Sequence, residues 1–320
     1  MSDDHEIYSQ IFFPHLRVSR QSAIDSGGRF SYYTTAETAQ LILKNEELWM
    51  RNTSVMNDYM EVEHGLECLI EAFNSEVGFD LKAAMDECFP GASSELASLF
   101  NSWIPTIKSH TYIISVSEHP ESEDEFGRLS MWRAYGGSAG VALVFNGGPM
   151  FRPSDALKAY SSPVAYLTRE GVREEIKQIS RNMRQQKIKI QNLGRSGLIG
   201  FMFEAFRFAA ICTKHPAFLE EREWRVISTQ FLHNSERLIP ACESIGGVPQ
   251  LVLKLKLEDH PAEGLFDLKI SSFLDRILIG PCEHPQTIKL ALSKLLSDHG
   301  IPNPGERIHI TGIPLRPNQR

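Results

Sequence analysis

The sequence predicts an α/β (α+β) fold with a mixed, mainly antiparallel sheet and two helical insertions. Short strand-like segments recur along the chain, and helix-like stretches interrupt them at about 58–104 and 169–212. No internal repeat and no long low-complexity linker divides the 320 residues. We therefore expect one domain over residues 30–320, preceded by an N-terminal arm.

The first 37 residues are predicted to contain an N-terminal arm, the first strand of the domain and the beginning of its first helix. Residues 1–29 end in the glycine-containing joint SGGR, so we expect them to form a loosely attached arm. RFSYYTT is rich in aromatic and β-branched residues and predicts the first strand. The capping-box pattern from Thr34 to Glu37 predicts a helix that begins at Thr34.

The rest of the chain is predicted to contain further helices and strands. The insertion at 58–104 predicts two or three helices, and 169–212 predicts a charged helix followed by an apolar one. LSMWRAY is expected to be a short helix that ends at the following glycines, and 284–299 an amphipathic helix. The further predicted strands are 48–51, 111–118, 140–145, 162–168, 222–229, 250–258, 275–281 and 307–313.

Composition and charge limit the class of protein. A hydrophobic content of 42% is ordinary for a globular chain, and the longest apolar run is interrupted by Glu204 and Arg207, so we expect no membrane partner. The net charge of −7 gives no support to nucleic-acid binding, although a local basic groove remains compatible with it. Five dispersed cysteines and an acidic start predict a cytoplasmic protein.

The segment TKHPAFLEEREWRVIS carries the densest group of charged residues. Because side chains alternate along a strand, Glu221, Glu223 and Arg225 are expected to share one face. That face is either a cross-strand ion-pair ladder or the floor of a polar cleft. His215 precedes it, either as a cleft residue or as a helix-terminal histidine that satisfies carbonyl groups.

Other candidate site residues are distributed along the chain. Ser115 and Ser117 share a face of the strand ISVSE, which is equally typical of a half-exposed edge. Trp132 and Tyr135 are three apart on a helix, a spacing that also suits core packing. The stretch that holds Asn57, Asp58 and Glu61 has the alternative role of capping a helix. No histidine or cysteine spacing predicts a metal site, and no phosphate-binding loop is present in the sequence.

Several of these segments together resemble the bacterial family named domain of unknown function 2971. The family reads aromatic-His-Tyr-Thr-Ser, a helix, and then Asn-Asp with a Glu three residues later, as Asn57, Asp58 and Glu61 do here. Its later blocks resemble IISVSE, MWRAYGGSAGVALVF, KHPAFLEEREWR and ILIGP, in that order. The resemblance runs from about Phe30 to Pro281.

That family is similar, more distantly, to the ADP-ribosyltransferase fold. The resemblance implies that the end of the first strand and a Ser-x-Ser strand bind NAD. Tyr32 occupies the position usually held by His, and Tyr33 and Thr34 match the following pair. Ser115 and Ser117 resemble the second motif.

The resemblance also implies a reaction in which NAD is the substrate and no metal takes part. Glu223 or Glu221 would be the catalytic glutamate that stabilises the charge developing as nicotinamide leaves. Arg225 would hold the pyrophosphate or orient that glutamate. Stacking on nicotinamide is expected from Tyr135, Tyr33 or Trp132. Asn57, Asp58 and Glu61 would fix the loop beneath the cleft.

Three function classes follow from these residues. The first is an ADP-ribosyltransferase-like protein that cleaves or binds NAD, modifying a macromolecule in bacterial stress or phage defence. The second is a non-catalytic nucleotide- or protein-binding sensor, which Tyr32 favours and the Glu-x-Glu-x-Arg pattern opposes. The third is a nuclease-like toxin or defence protein in which Asp58, Glu61, Glu118 and Glu221 would have to converge on Mg²⁺.

Overall fold

The computed structural model describes residues 3–56, 61–152 and 154–314. The strands are β1 (Arg29–Thr35), β2 (Glu47–Asn52), β3 (Thr111–Glu118), β4 (Ala139–Asn146), β5 (Tyr160–Pro163), β6 (Ala165–Tyr166), β7 (Thr213–Lys214), β8 (Glu223–Thr229), β9 (Leu238–Ile245), β10 (Val248–Lys256), β11 (Leu274–Cys282) and β12 (Ile308–Ile310). The helices are α1 (Asp3–Phe12), α2 (Pro14–Asp25), α3 (Ala36–Asn45), α4 (Glu61–Phe73), α5 (Glu76–Cys88), α6 (Ala92–Ser109), α7 (Leu129–Tyr135), α8 (Gly148–Phe151), α9 (Arg169–Gln185), α10 (Lys187–Leu193), α11 (Arg195–Cys212), α12 (Ile270–Phe273) and α13 (Pro285–Asp298).

One large sheet organises the molecule. Its strands follow the order β12-β11-β4-β1-β3-β2-β10-β9, and β8 pairs with β3 on one side and with β5 on the other. The ladders of this sheet are antiparallel, apart from the parallel pair of β11 and β12. The short strands β6 and β7 form a separate parallel pair. This arrangement confirms the predicted mixed, mainly antiparallel sheet.

The two predicted helical insertions pack into one apolar core. Helix α9 packs on α4 and α5, whereas α11 packs on α4 and α6. Gly65 lies where α4 crosses α11, and a Cβ atom there would come within 2.3 Å of the Ala210 carbonyl oxygen. A side chain at position 65 would therefore force the helices apart, because close-packed interiors leave no room for it.

The N-terminal segment differs from the loosely attached arm expected over residues 1–29. Its described residues form α1 and α2, and Ile11 and Phe12 are 2% and 1% exposed within the helical core. The ring of Phe12 stacks on Phe201 of α11 at a centroid distance of 5.3 Å. Burial of these apolar side chains attaches the segment to the domain. The glycines Gly27 and Gly28 still form a joint, with φ of 103° and 63°.

Two element boundaries near the predicted site differ from the sequence predictions. Thr34 stays within β1, and Thr35 is the residue that caps α3, its hydroxyl accepting a hydrogen bond from the Thr38 N–H at 3.3 Å. Both threonines are good N-cap residues, but the spacing to Glu37 favoured Thr34, so the predicted start of the helix was wrong by one residue. Strand β8 begins at Glu223, because a 3₁₀ turn covers Pro216–Glu221 and Arg222 has a left-handed φ of 43°.

Other strands differ in length from the prediction. The segment predicted at 162–168 divides between β5 and β6, and the one predicted at 307–313 is a strand only over Ile308–Ile310. Strand β9 was not predicted, because it is largely exposed and contains Pro240 and Glu243, residue types that are depleted in strands. Among the described residues, no helix combines the length and apolarity that crossing a membrane requires.

Candidate functional site

The register of β3 against β8 brings two predicted motifs onto one face of the sheet. Ser115 lies opposite Arg225, and Ser117 lies opposite Glu223. Residues two apart on a strand point the same way, so all four side chains share this side. We call these four residues, together with Lys214, the polar face. Motifs separated by about a third of the chain are therefore adjacent in the fold.

Glu223 is held by two cations at the centre of the polar face. The Arg225 guanidinium donates to both of its carboxylate oxygens, from Nε to Oε1 at 2.8 Å and from the second terminal nitrogen to Oε2 at 3.0 Å. Lys214 donates to the same Oε2 at 3.3 Å. Arg225, which is 1% exposed, also donates to the Ile211 carbonyl at the end of α11. This bidentate geometry fixes the carboxylate in position.

The protonation state of Glu223 follows from these contacts. Burial by itself would raise the pKa of a carboxyl group, but the charge and hydrogen bonds of Arg225, followed by the charge of Lys214, outweigh it. The pKa of Glu223 is lowered to about 2. The side chain is therefore an ionised carboxylate at neutral pH and acts through its charge rather than as an acid.

Glu221 reaches the same cluster from a different position than the sequence predicted. It is the last residue of the 3₁₀ turn rather than a strand residue, because Arg222 turns the backbone before β8 begins. Its carboxylate nevertheless accepts a hydrogen bond from Lys214 at 2.7 Å and one from the Tyr135 hydroxyl at 3.5 Å. Its side chain is 20% exposed, against 8% for Glu223. Lys214 thus bridges the two candidate glutamates.

Arg128 positions the turn that carries Glu221, although the sequence did not single this residue out. Its guanidinium donates to the carbonyls of Glu220 and Glu221 at 2.8 and 3.0 Å, and to the Glu118 carbonyl at 3.0 Å. It also pairs with the carboxylate of Glu123. One buried arginine therefore fastens the 3₁₀ turn to the end of β3.

Tyr166 and Lys214 are the other functional candidates that the sequence analysis missed. The Tyr166 hydroxyl accepts a hydrogen bond from the Glu223 backbone N–H at 2.8 Å, and burial raises the pKa of this tyrosine. The pairing of β6 with β7 places Tyr166 beside Lys214. Because these short strands are fixed by tertiary pairing, no local pattern marked either residue.

The two tyrosines of the first strand lie on opposite faces. Tyr33 follows Ser31 on the side of the polar face, since Ser31 lies opposite Ser117. Its hydroxyl accepts a hydrogen bond from the Arg128 backbone N–H at 2.8 Å, and burial raises its pKa to about 12. Tyr32 packs against the apolar core on the other side of the sheet, as alternation requires, and Thr34 shares that side.

The two aromatic residues of α7, Trp132 and Tyr135, also have different surroundings. Trp132 is 3% exposed, its ring meets Tyr33 edge-on at a centroid distance of 4.8 Å, and its Nε1 donates to the Phe126 carbonyl at 2.7 Å. Tyr135 is partly exposed and contacts Glu221. Tyr135 is therefore the aromatic residue of α7 that borders the polar cluster, whereas Trp132 packs in the core.

The remaining predicted site residues have varied positions. The Ser115 hydroxyl is buried on the polar face and contributes to the lowered pKa of Glu223. Exposed His215 caps the 3₁₀ turn, its Nδ1 accepting from the Ala217 N–H at 3.2 Å. Asn57 and Asp58 lie outside the described residues. Glu61 begins α4, but its side chain lies outside the described part.

The carboxylates of the magnesium alternative do not come together where they are described. Glu118 accepts a hydrogen bond from Trp224 Nε1 at 2.7 Å, and Trp224 packs in the apolar core on the other side of the sheet from Glu223. Glu221 pairs with Lys214 instead. Within residues 3–56, 61–152 and 154–314, no group of three or more metal-ligating side chains is suitable for holding an ion.

Comparison with known proteins supports the family resemblance. Residues 131–226 match the model of a family described as "Protein of unknown function (DUF2971)". This segment of the chain is therefore similar to that family. It extends from α7 to β8 and so includes both glutamates of the site and the two cations that pair with them. No curated protein and no solved structure matches the chain.

Proposed function

We propose that this chain is an ADP-ribosyltransferase-like protein that binds NAD at the polar face and cleaves its nicotinamide–ribose bond. The observation that supports the proposal is the register of β3 and β8, which sets a Ser-x-Ser strand beside a Glu-x-Arg strand. The resemblance to ADP-ribosyltransferases implies that a Ser-x-Ser strand and a strand with a catalytic glutamate line the same site. Transfer to a macromolecule in bacterial stress or phage defence belongs to the proposal through that resemblance alone.

The contacts favour different roles for the two glutamates. Glu221 is the more exposed carboxylate and adjoins the Tyr135 hydroxyl, so it is assigned as the catalytic residue that hydrogen-bonds the ribose. Its charge would stabilise the oxocarbenium-like transition state. Glu223, ionised and fixed by Arg225, is a positioning residue that holds Lys214 and thereby Glu221.

The proposed cleavage needs only NAD and an acceptor, which is water or a nucleophile of a macromolecule. The bond between ribose C1′ and the nicotinamide nitrogen breaks, and its electron pair leaves with neutral nicotinamide. Water, or a nucleophile of a macromolecule, then forms the new bond to C1′ and loses a proton. No oxidant, reductant or metal is needed for this step.

A second candidate function is nucleotide binding without turnover. Both carboxylates already pair with cations, which lowers their capacity to stabilise a further positive charge. Trp132 is too deeply buried to stack on nicotinamide. These observations favour a sensor that recognises NAD or ADP-ribose and leaves it intact.

The decisive experiment combines binding with catalysis. Purified protein is titrated calorimetrically with NAD and with ADP-ribose, and nicotinamide release is followed in parallel. We expect binding and release, and we expect Glu221→Gln to lower release about 100-fold while NAD still binds. Glu220→Gln is the matched control, because this exposed neighbour contributes only its backbone carbonyl to the contacts described above.

Each outcome selects one function. Release that depends on Glu221 supports the enzyme, and binding without release supports the sensor. If neither ligand binds at millimolar concentration, the proposal is wrong and the polar face is a structural ion-pair network.

A further inference from the structure

A large cavity lies on the side of the sheet opposite the polar face. Its volume is about 710 Å³, and residues of β3, β8, α2 and α11 contribute to its lining. Its apolar lining includes Phe30, Ile114, Val116, Phe201, Phe208 and Val226. Protein interiors normally contain few voids larger than a water molecule, whereas ligand pockets typically enclose ~300–1,000 Å³. The cavity therefore has the size of a ligand site rather than of a packing defect.

The burial pattern of β8 shows how far the cavity reaches into the fold. Val226 is only partly buried, although its neighbours Arg225 and Ile227 are 1% and 0% exposed and β8 is paired on both sides. Ile114 and Val116 line the same space from β3. An apolar side chain in the middle of a sheet gains by being covered, so the open space next to Val226 suits an apolar ligand.

Two arginines of α2 give the mouth of the cavity a positive charge. Arg17 and Arg20 line the cavity one helical turn apart, and Arg17 is exposed, so the cavity opens to solvent beside it. Arg20 donates to the Phe151 carbonyl. Neither arginine forms an ion pair with any residue that the structure describes. An anionic group at this mouth would therefore find two guanidinium groups available to it.

The other charged groups around the cavity are already compensated. Glu204 pairs with Arg207 and with His233, and Arg152 pairs with Asp267. Among the side chains that the structure describes, the charge left without a counter-ion at the mouth is therefore positive. This asymmetry, an apolar interior with a cationic rim, excludes a cationic amphiphile as the preferred occupant and favours an anionic one.

We propose that this cavity binds an amphiphile that has one long apolar chain and a single anionic head group, of the fatty-acid class. The chain lies along Ile114, Val116 and Val226, and the head group binds Arg17 and Arg20. The anionic head group could be a carboxylate or an alkyl phosphate, and the first experiment distinguishes the two. The inference does not depend on the proposed NAD site, because that site lies on the other face of the same strands.

The first experiment compares ligands of equal chain length. Dodecanoate, dodecyl phosphate and dodecyltrimethylammonium are titrated below their micelle concentrations into the wild-type chain, and heat or intrinsic tryptophan fluorescence is recorded. We expect both anions to bind with one saturable site and the cation to bind at least about tenfold more weakly. The stronger of the two anions identifies the head group. Equal binding of anion and cation, or no saturable binding, would overturn the proposal.

The second experiment uses variants to measure separately how the arginines at the mouth and the apolar interior contribute to binding. Arg17→Gln, alone and combined with Arg20→Gln, is expected to weaken dodecanoate binding about tenfold or more. Val226→Phe narrows the interior where the chain is expected to lie, and it is expected to weaken dodecanoate binding as well. Arg133→Gln, an exposed arginine on α7, is the matched charge control and should bind like the wild type. If the folded Arg17→Gln variant and the Val226→Phe variant both bind dodecanoate normally, the assignment is wrong.

Discussion

The two faces of β3 and β8 differ in the side chains that they bury and in how those side chains are packed. On the polar face, Arg225 and Lys214 both pair with the Glu223 carboxylate, at 2.8–3.3 Å. On the opposite face, Trp224 packs against Phe30 at a centroid distance of 5.2 Å, yet beyond it a cavity of about 710 Å³ remains. The same strands thus carry a charged, hydrogen-bonded side and an apolar side that borders the cavity.

On β3 and β8, therefore, the paired charges lie on one side of the strands and the free volume lies on the other. Buried charges cost several kcal/mol unless each has partners, so the polar face is held in one geometry by its hydrogen bonds. An apolar face has no directional contacts, and it can leave volume that a ligand fills. Three predictions test this contrast, and they follow from the largest expected effect to the smallest.

Removing a charge from the polar face should have the largest effect. Arg225→Gln leaves the buried carboxylate of Glu223 with one cation fewer, and we expect it to lower the free energy of unfolding by about 3–5 kcal/mol. Urea denaturation followed by circular dichroism measures this loss. Arg222→Gln is the control, since Arg222 is 49% exposed and its ion pair with Glu123 is longer, at 3.5 Å; we expect about 1 kcal/mol or less. Similar losses in both variants would contradict a tightly coupled polar face.

The free energy of unfolding should depend on pH because of Glu223, the central carboxylate of the polar face. The pKa of Glu223 is about 2 in the folded chain, against an ordinary value of 4.5, so at intermediate pH the unfolded state binds the proton more readily. The stabilisation is therefore fully present above about pH 4.5 and is lost as the pH falls through 2. We expect its loss to be on the order of 3 kcal/mol.

The variant Glu223→Gln isolates this contribution from those of the other carboxylates. The difference in unfolding free energy between wild type and variant, measured by urea denaturation, should be constant above about pH 5 and shrink at lower pH. A difference that does not change with pH would show that Glu223 has an ordinary pKa in the folded chain.

The smallest effect should come from adding volume to the two sides of β8. Ile227→Phe enlarges a residue that is 0% exposed and faces the helical core, and overpacking should cost about 1–3 kcal/mol. Val226→Phe places the same ring in the cavity, and we expect a change within about 0.5 kcal/mol or a gain in stability. Thermal unfolding of both variants measures the contrast. An equal loss in the two would mean that the space beside Val226 is closed.

Much of the fold is encoded locally and was predicted from the sequence. The strand over 111–118 and the helix LSMWRAY have the predicted bounds, because each has the periodicity of its element and a clear end signal. Helix α3 was also predicted, although its cap is Thr35 rather than Thr34. The alternation of Glu223, Trp224 and Arg225 correctly indicated which side chains share a face.

The candidate site was predicted only in part. Glu223 and Arg225 were identified as neighbours on a strand, whereas Glu221 was placed on that strand although it lies in the turn before it. Lys214 and Arg128 were missed, since each acts through contacts with segments distant in sequence. Single residues of this kind carry no periodic pattern, so the sequence offered no signal for them.

The sequence by itself determined the types of elements, their approximate bounds and the side of each strand that carries charge, because these depend on alternation, caps and turns within a few residues. Only the tertiary structure decided which motifs meet. The pairing of β3 with β8 set Ser115 beside Arg225, the packing of α1 made the N-terminal segment part of the core, and the position of α2 against the sheet opened the cavity. Such contacts depend on strand register and on the fit of distant surfaces, which no local pattern contains.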